Sequence, residues 1–396
     1  MSPFLCAISI LGLSSLATAA NFTQVFEWDE MDFEWPSVER RTQALEDGIY
    51  DAENILPLFM AVYGRRIFLS LEKYKKIPVT LASLPTKSSA SPKLTPFPSW
   101  DMHVYENWEN CNKIEEAKGL QVDSVGRLWV LDEGSSNSNC HAKLLIFDFN
   151  SHQTKLIHHF SFRYPLHDLV LDETVDGTFA YITRGTENHI VVFSLESNKS
   201  WMVYTPRIEV HSLGLSPKDQ EPRKLYLSKY KSDNLYSISA TDLRHETGTA
   251  HPELIGSWAG IPQRLLIDNN GTMYAAFHWR NYISSWNTSQ PFHEQHFHEF
   301  SGQEPSAFTL TLDENGTLWM TVYNSDKKPC YTLLKISDGA KSDIVDEPPE
   351  HLLMHLFDTI LIGSILIIMV LLSLSIFWVT LRMKMNIFLQ QITNEG

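Results

Sequence analysis

Residues 119–134 read GLQVDSVGRLWVLDEG, and two stretches far downstream repeat the plan: LLIDNNGTMYAAFHW at 265–279 and LTLDENGTLWMTVYN at 310–324. Each has an apolar run, an aspartate, a few turn residues, a glycine and a second apolar run. Gly and Asn tolerate the positive φ that tight hairpin turns require, so each copy reads as a β-hairpin. Looser copies are LVLDETVDGTFAYITRG at 169–185 and LGLSPKDQEPRKLYLSKY at 213–230. The anchors Asp123, Asp172, Ser216, Asp268 and Asp313 stand 49, 44, 52 and 45 residues apart. That period matches the roughly 40 to 50 residues of a propeller blade.

After each hairpin comes another apolar run, such as KLLIFDF, HIVVFSL or YISSWN, and usually a fourth segment, which makes four strands per unit. ILPLFMAVYGRRIFLSL at 55–71, with Gly64 at its turn, adds a sixth copy without the acid. FTQVFEW at 22–28 is the candidate strand that completes the last blade, since a propeller must not leave an open edge. A two-sheet sandwich would not need a regular period. The expected fold is therefore all-β: a six-bladed β-propeller ectodomain plus one C-terminal transmembrane helix. Trp129 and Trp319 are expected to pack between neighbouring sheets.

Both chain ends read as targeting or membrane segments. Residues 1–20 are an apolar run closed by Ala17, Thr18 and Ala19, the pattern of a secretory signal. Residues 359–381 carry no charge and suffice to span a bilayer. Arg382 and Lys384 follow that run, whereas Asp343, Asp346, Glu347, Glu350 and Asp358 precede it, which predicts a single-pass type I protein of the cell membrane. The expected organisation is signal 1–20, propeller 21–340, acidic juxtamembrane linker 341–358, membrane span 359–381 and cytoplasmic tail 382–396. Sequons at Asn21, Asn198, Asn270, Asn287 and Asn315 agree with an extracellular, N-glycosylated domain.

At 396 residues and 43% hydrophobic, the chain has ample material for a core. A net charge of −15, without a basic stripe, argues against a nucleic-acid partner. Once Cys6 leaves with the signal, Cys111, Cys140 and Cys330 remain, enough for one disulfide and one thiol.

GRLWVLDEG followed by CHAKLLIFDF from Cys140 resembles the signature of the yellow and major royal jelly proteins. Further matches are FEWDEMDFEWPS with Trp28, Phe33, Trp35 and Pro36, IPVTLASL from Ile77, NKSWMV from Asn198, SSWN ending at Asn287, and NGTLWM. The resemblance is collinear from Phe22 to Ile336 and implies a six-bladed propeller. It pairs Cys111 with Cys140. Ser285 stands where the family carries another cysteine, so Cys330 has no evident partner.

Relatives from insect saliva hold biogenic amines in the central channel. Their ligand motifs are not kept here: Leu333, Leu334, Lys335 and Ile336 stand at one, Thr321 to Asn324 meet another out of register, and Ile182, Thr183, Arg184 replaces an acid with a cation. A protonated amine would lose an acceptor and meet a like charge.

No nucleophile elbow, phosphate loop or HExxH helix appears. His293, His296 and His298 lack the further ligands and supporting shell that zinc needs, so neither metal nor cofactor is expected. Asp132 and Glu133 point to opposite faces of a strand, a poor arrangement for joint acid–base work. Asp132, Arg184 and Thr321 follow second strands at comparable places and are the candidate residues for a small-molecule ligand in the central channel. The resemblance implies an extracellular, membrane-tethered and non-enzymatic binding protein linked to cuticle pigmentation or development. Its alternative is a dopachrome-converting, tautomerase-type enzyme of the melanin pathway.

Overall fold

The repeated aspartates are turn devices. Asp123 Oδ1 accepts the backbone N–H groups of Val125 and Arg127, while Oδ2 takes the indole N–H of Trp129 at 2.9 Å. Asp313 does the same with Asn315, Thr317 and Trp319, and Asp268 with Asn270, Thr272 and the Tyr274 hydroxyl. One carboxylate thus satisfies the turn and fixes an aromatic ring six residues on. The turn glycines Gly126, Gly271 and Gly316 sit at φ 83°, 80° and 79°, a region that favours glycine. A Cβ on Gly126 would also come within 2.8 Å of the Tyr63 hydroxyl.

The computed structural model describes residues 22–73, 76–103, 110–135, 138–151, 153–246, 248–277, 280–300, 306–324 and 328–336. The chain divides into two units, 1–338 and 339–396. The signal, Asn21, the linker, the 359–381 span and the tail all lie outside the described residues. Among the described residues no helix is long and apolar enough to cross a membrane.

After β1 (Phe22–Trp28), blade 1 is β2 (Pro57–Tyr63), β3 (Arg66–Leu71), β4 (Leu81–Pro85) and β5 (Thr95–Pro96). Blade 2 is β6 (Ala117–Val122), β7 (Arg127–Asp132), β8 (Lys143–Asp148) and β9 (Gln153–His159). Blade 3 comprises β10 (Leu169–Thr174), β11 (Gly177–Thr183), β12 (His189–Ser194) and β13 (Lys199–Tyr204). Blade 4 comprises β14 (Val210–Leu215), β15 (Lys224–Lys229), β16 (Asn234–Ser239) and β17 (Glu253–Ser257). Blade 5 holds β18 (Pro262–Ile267), β19 (Thr272–Phe277), β20 (Tyr282–Asn287) and β21 (Gln295–Glu299). Blade 6 holds β22 (Ser306–Leu312), β23 (Leu318–Tyr323) and β24 (Tyr331–Ile336), and β1 completes it by pairing Phe22 with Ile336 and Trp28 with Tyr331.

The first strands β2, β6, β10, β14, β18 and β22 touch in cyclic order, and β22 meets β2 to close the ring. Six apolar clusters fill the six spaces between blades, so the inner sheets bury both faces. Double burial explains why Leu128–Leu131 is continuously apolar instead of alternating. Trp129 packs against Phe193 of blade 3, and Trp319 lies in the cluster between blades 6 and 1. Cys111 and Cys140 are bonded, with Cα atoms 5.2 Å apart, and Cys330 is a free thiol.

Candidate functional site

The first strands begin at one end of the ring, called here the upper mouth, and second strands return to it. The side chains that meet there come from five blades. Arg264 of β18 donates Nη2–H to the Leu58 carbonyl of β2 at 2.8 Å and Nη1–H to His167 Nε2 at 3.3 Å. Its guanidinium lies 3.2 Å from the centre of the Phe59 ring. His167, just before β10, stacks on His211 of β14 with centroids 4.1 Å apart. Beneath them Asp168 accepts from Ser212 Oγ at 2.6 Å and from the N–H groups of Leu169 and Leu213, while Ser212 Oγ accepts from Leu265 N–H. These bonds tie blades 3, 4 and 5 together.

On the side of blades 1 and 2, Lys118 of β6 is surrounded by carboxylates: Glu116 at 2.9 Å, Glu133 at 3.3 Å and Glu72 at 3.6 Å. Glu133 also accepts the Leu166 N–H. Burial, reinforced by the charge of Glu116, pushes the Glu133 carboxyl up to about 7 against the pull of Lys118. Burial works against the charged form of Lys118, but Glu133, Glu116 and Glu72 outweigh it and raise this lysine. His167 is held well below its ordinary range, first by burial and then by His211, Arg264 and Lys118. Burial also brings Arg264 down to about 10, although Asp168 and Glu72 oppose this. A carboxyl that is half ionised near neutral pH can both give and take a proton.

The three sequence-predicted channel residues are not brought together. Asp132 is fully buried behind the mouth, where it pairs with Lys143 at 3.2 Å and accepts the N–H groups of Glu115 and Gly134. Lys143 faces it across the β7–β8 register, so the Asp and Lys of the sequence signature form a buried ion pair. Thr321 is buried between blades, its hydroxyl bonded to Thr309 at 2.9 Å. Arg184 sits at the rim of the upper mouth, with its guanidinium 4.3 Å from the Phe162 ring centre and one N–H on the Tyr164 carbonyl.

Sequence reasoning passed over Lys118, His167, His211 and Arg264, and set Glu133 aside as half of a poor acid–base pair. A signal for them did exist. His167 and His211 each stand five residues before a template anchor, and Asp168, Ser212 and Arg264 four before, the places where first strands enter the ring. Among the described residues no group of three His, Cys, Asp or Glu could hold a metal. His296 stacks on Tyr282, and His298 packs edge-on against Phe22 and Phe300.

At the lower end, a cleft of about 220 Å³ is walled by Leu171, Leu215 and Ile267. Its charged groups are already engaged: Asp123 and Asp268 in their turns, Arg223 with Asp172, and Lys218 with Glu173.

The sequence profile of the Major royal jelly protein family matches residues 117–213 and 208–330, spanning blades 2 to 6. The chain belongs to this family. Among its relatives, Protein yellow of Drosophila guanche is 24% identical over 388 residues, covering 83% of this chain and 66% of that protein. Protein yellow of Drosophila melanogaster is 24% identical over 369 residues, covering 78% and 65% respectively. This major royal jelly family chain thus spans a little under two thirds of those relatives' length. Among solved structures, a gluconolactonase from Xanthomonas campestris aligns with a TM-score of 0.49 at 13% identity, over 73% of this chain and 88% of that one. That likeness is too distant to bear on chemistry.

Proposed function

We propose that this protein is a membrane-tethered extracellular propeller that binds a small molecule at its upper mouth, without catalysis, in cuticle pigmentation or development. The convergence of Phe59, Lys118, Glu133, His167, His211 and Arg264 from five blades onto one mouth carries the reading, because such convergence gives a ligand several fixed polar partners at once. The sequons support it further. Asn198, Asn270, Asn287 and Asn315 are all exposed; three lie on turns of the lower face and Asn287 ends β20 at that face, so glycans there would leave the upper mouth open.

The uncharged run 359–381 with its basic flank supports the tether. An epitope at Gly396 is expected to stain only after permeabilisation; staining of intact cells would reverse the topology. For the binding role, the purified full-length protein would be denatured and the released small molecules identified by mass spectrometry. A stoichiometric small molecule is expected. Its absence, together with no binding across a panel of organic acids, amines and neutral polyols, ends the reading.

One observation favours a second reading. A tautomerase-type enzyme needs a group that exchanges protons near neutral pH, and Glu133, raised to about 7 beside Lys118, has that property. Dopachrome decay faster with the native than with the heat-treated protein, and slowed in Glu133→Gln, would establish it.

A further inference from the structure

Building on the binding role proposed above, we infer that the upper mouth is a seat for a small, planar organic carboxylate, gripped by Arg264 and flanked by His167 and His211. Arg264 is only 4% exposed, and among the described residues it makes no ion pair. Its Nε–H is a buried donor without a hydrogen-bond partner, while Nη1 is spent on an imidazole nitrogen. Buried guanidinium groups ordinarily meet a carboxylate or phosphate, because a charged acceptor offsets their desolvation.

Asp168 and Glu72 offset part of the guanidinium charge from a distance, but among the described residues no nearby acid is in contact with it. Asp168 is turned to Ser212, Leu169 and Leu213, and Glu72, Glu116 and Glu133 face Lys118. Burial first, and then the charges of His211, Arg264 and Lys118, oppose protonation of His167, so the imidazole beside Arg264 supplies no counter-charge and a bound carboxylate would. At the Arg264 guanidinium itself a protonated amine would meet a like charge. Aromatic rings bias the rest of the ligand: the His167–His211 pair is nearly parallel at 19°, and Phe59 stands edge-on to His167 at 5.3 Å. A flat conjugated acid can pack against the edges of these rings, whereas a tetrahedral inorganic anion gains nothing from them.

The test is calorimetric titration of the purified full-length protein with benzoate, inorganic phosphate and tyramine at neutral pH. Benzoate is expected to bind at one site per chain, at least about tenfold more tightly than phosphate or tyramine. Arg264→Gln should weaken benzoate by about tenfold or more, and Arg264→Lys, which keeps the charge but loses the planar fork, by an intermediate factor. Circular dichroism melts check that each variant is folded, and the lysine variant serves if the glutamine one is not. Tyramine binding more tightly than benzoate would overturn the carboxylate seat while leaving the small-molecule role intact. Phosphate binding as tightly as benzoate would replace the planar acid with a bare oxyanion seat and overturn the inference. Benzoate affinity unchanged in a folded Arg264 variant would also overturn it, and failure of all three probes would remove the seat together with its site.

Discussion

Replacing Glu133 with glutamine isolates the electrostatics of the upper mouth. An unfolded glutamate ionises near 4.5, whereas Glu133 in the folded chain does so at about 7. Between those values the folded state holds more protons than the unfolded one, so stability falls as pH rises from 4.5 to 7 and levels off above. At about 1.36 kcal/mol per pH unit the full effect is about 3 kcal/mol. The side chain keeps 16% of its surface exposed, where water screens its charge, so about 2 kcal/mol is the working expectation. Histidines act in the opposite sense. His103, brought down to about 4 by burial, costs stability as pH falls below 6.5, and His167 does likewise. Those contributions are common to both proteins and cancel in the difference.

Urea unfolding followed by tryptophan fluorescence would be run on wild type and Glu133→Gln at about pH 5, 6, 7 and 8. Near pH 5, only about half a unit above the unfolded value, the variant should lead by about a quarter of the full effect, about 0.5 kcal/mol; near pH 8 it should be more stable by about 2 kcal/mol. A difference that does not change with pH, or a variant that is the weaker protein near pH 8, would refute the reasoning: Glu133 would then be an ordinary carboxylate stabilised by Lys118.

Asp123→Ala strips the indole N–H of Trp129 and two turn N–H groups of their acceptor, and should cost about 2 to 4 kcal/mol in denaturant unfolding, with altered tryptophan fluorescence. Asp172 is a fully buried carboxylate holding Arg223 at 2.6 Å, Arg244 at 2.5 Å and the Tyr181 hydroxyl at 2.7 Å; Asp172→Asn leaves both arginines uncompensated and should cost about 3 to 5 kcal/mol. Cys111→Ser opens a loop spanning 29 residues and should cost about 3 to 4 kcal/mol, while non-reducing peptide mapping of the wild type should find Cys330 unbridged. A Cys330 peptide recovered in an intramolecular disulfide would contradict that pairing.

The architecture was legible in the sequence because what makes a blade is local. Asp123 and Trp129, or Asp313 and Trp319, lie six residues apart, so the turn and the ring that it anchors can be read in one short window. The period of those windows counted the blades, and the leftover apolar segment 22–28 named the strand that closes the ring on β24. The mouth was not legible in the same way. Arg264 meets Leu58 across 206 residues and His167 across 97, and Lys118 meets Glu72 from the neighbouring blade. No spacing along the chain encodes those distances; they exist only once six blades are turned about one axis and their first strands converge. Asp132 shows the converse. Its neighbour Glu133 faces the mouth while Asp132 turns inward to Lys143, because successive side chains on a strand point to opposite faces, and only the packed blades decide which face is the channel and which is the core.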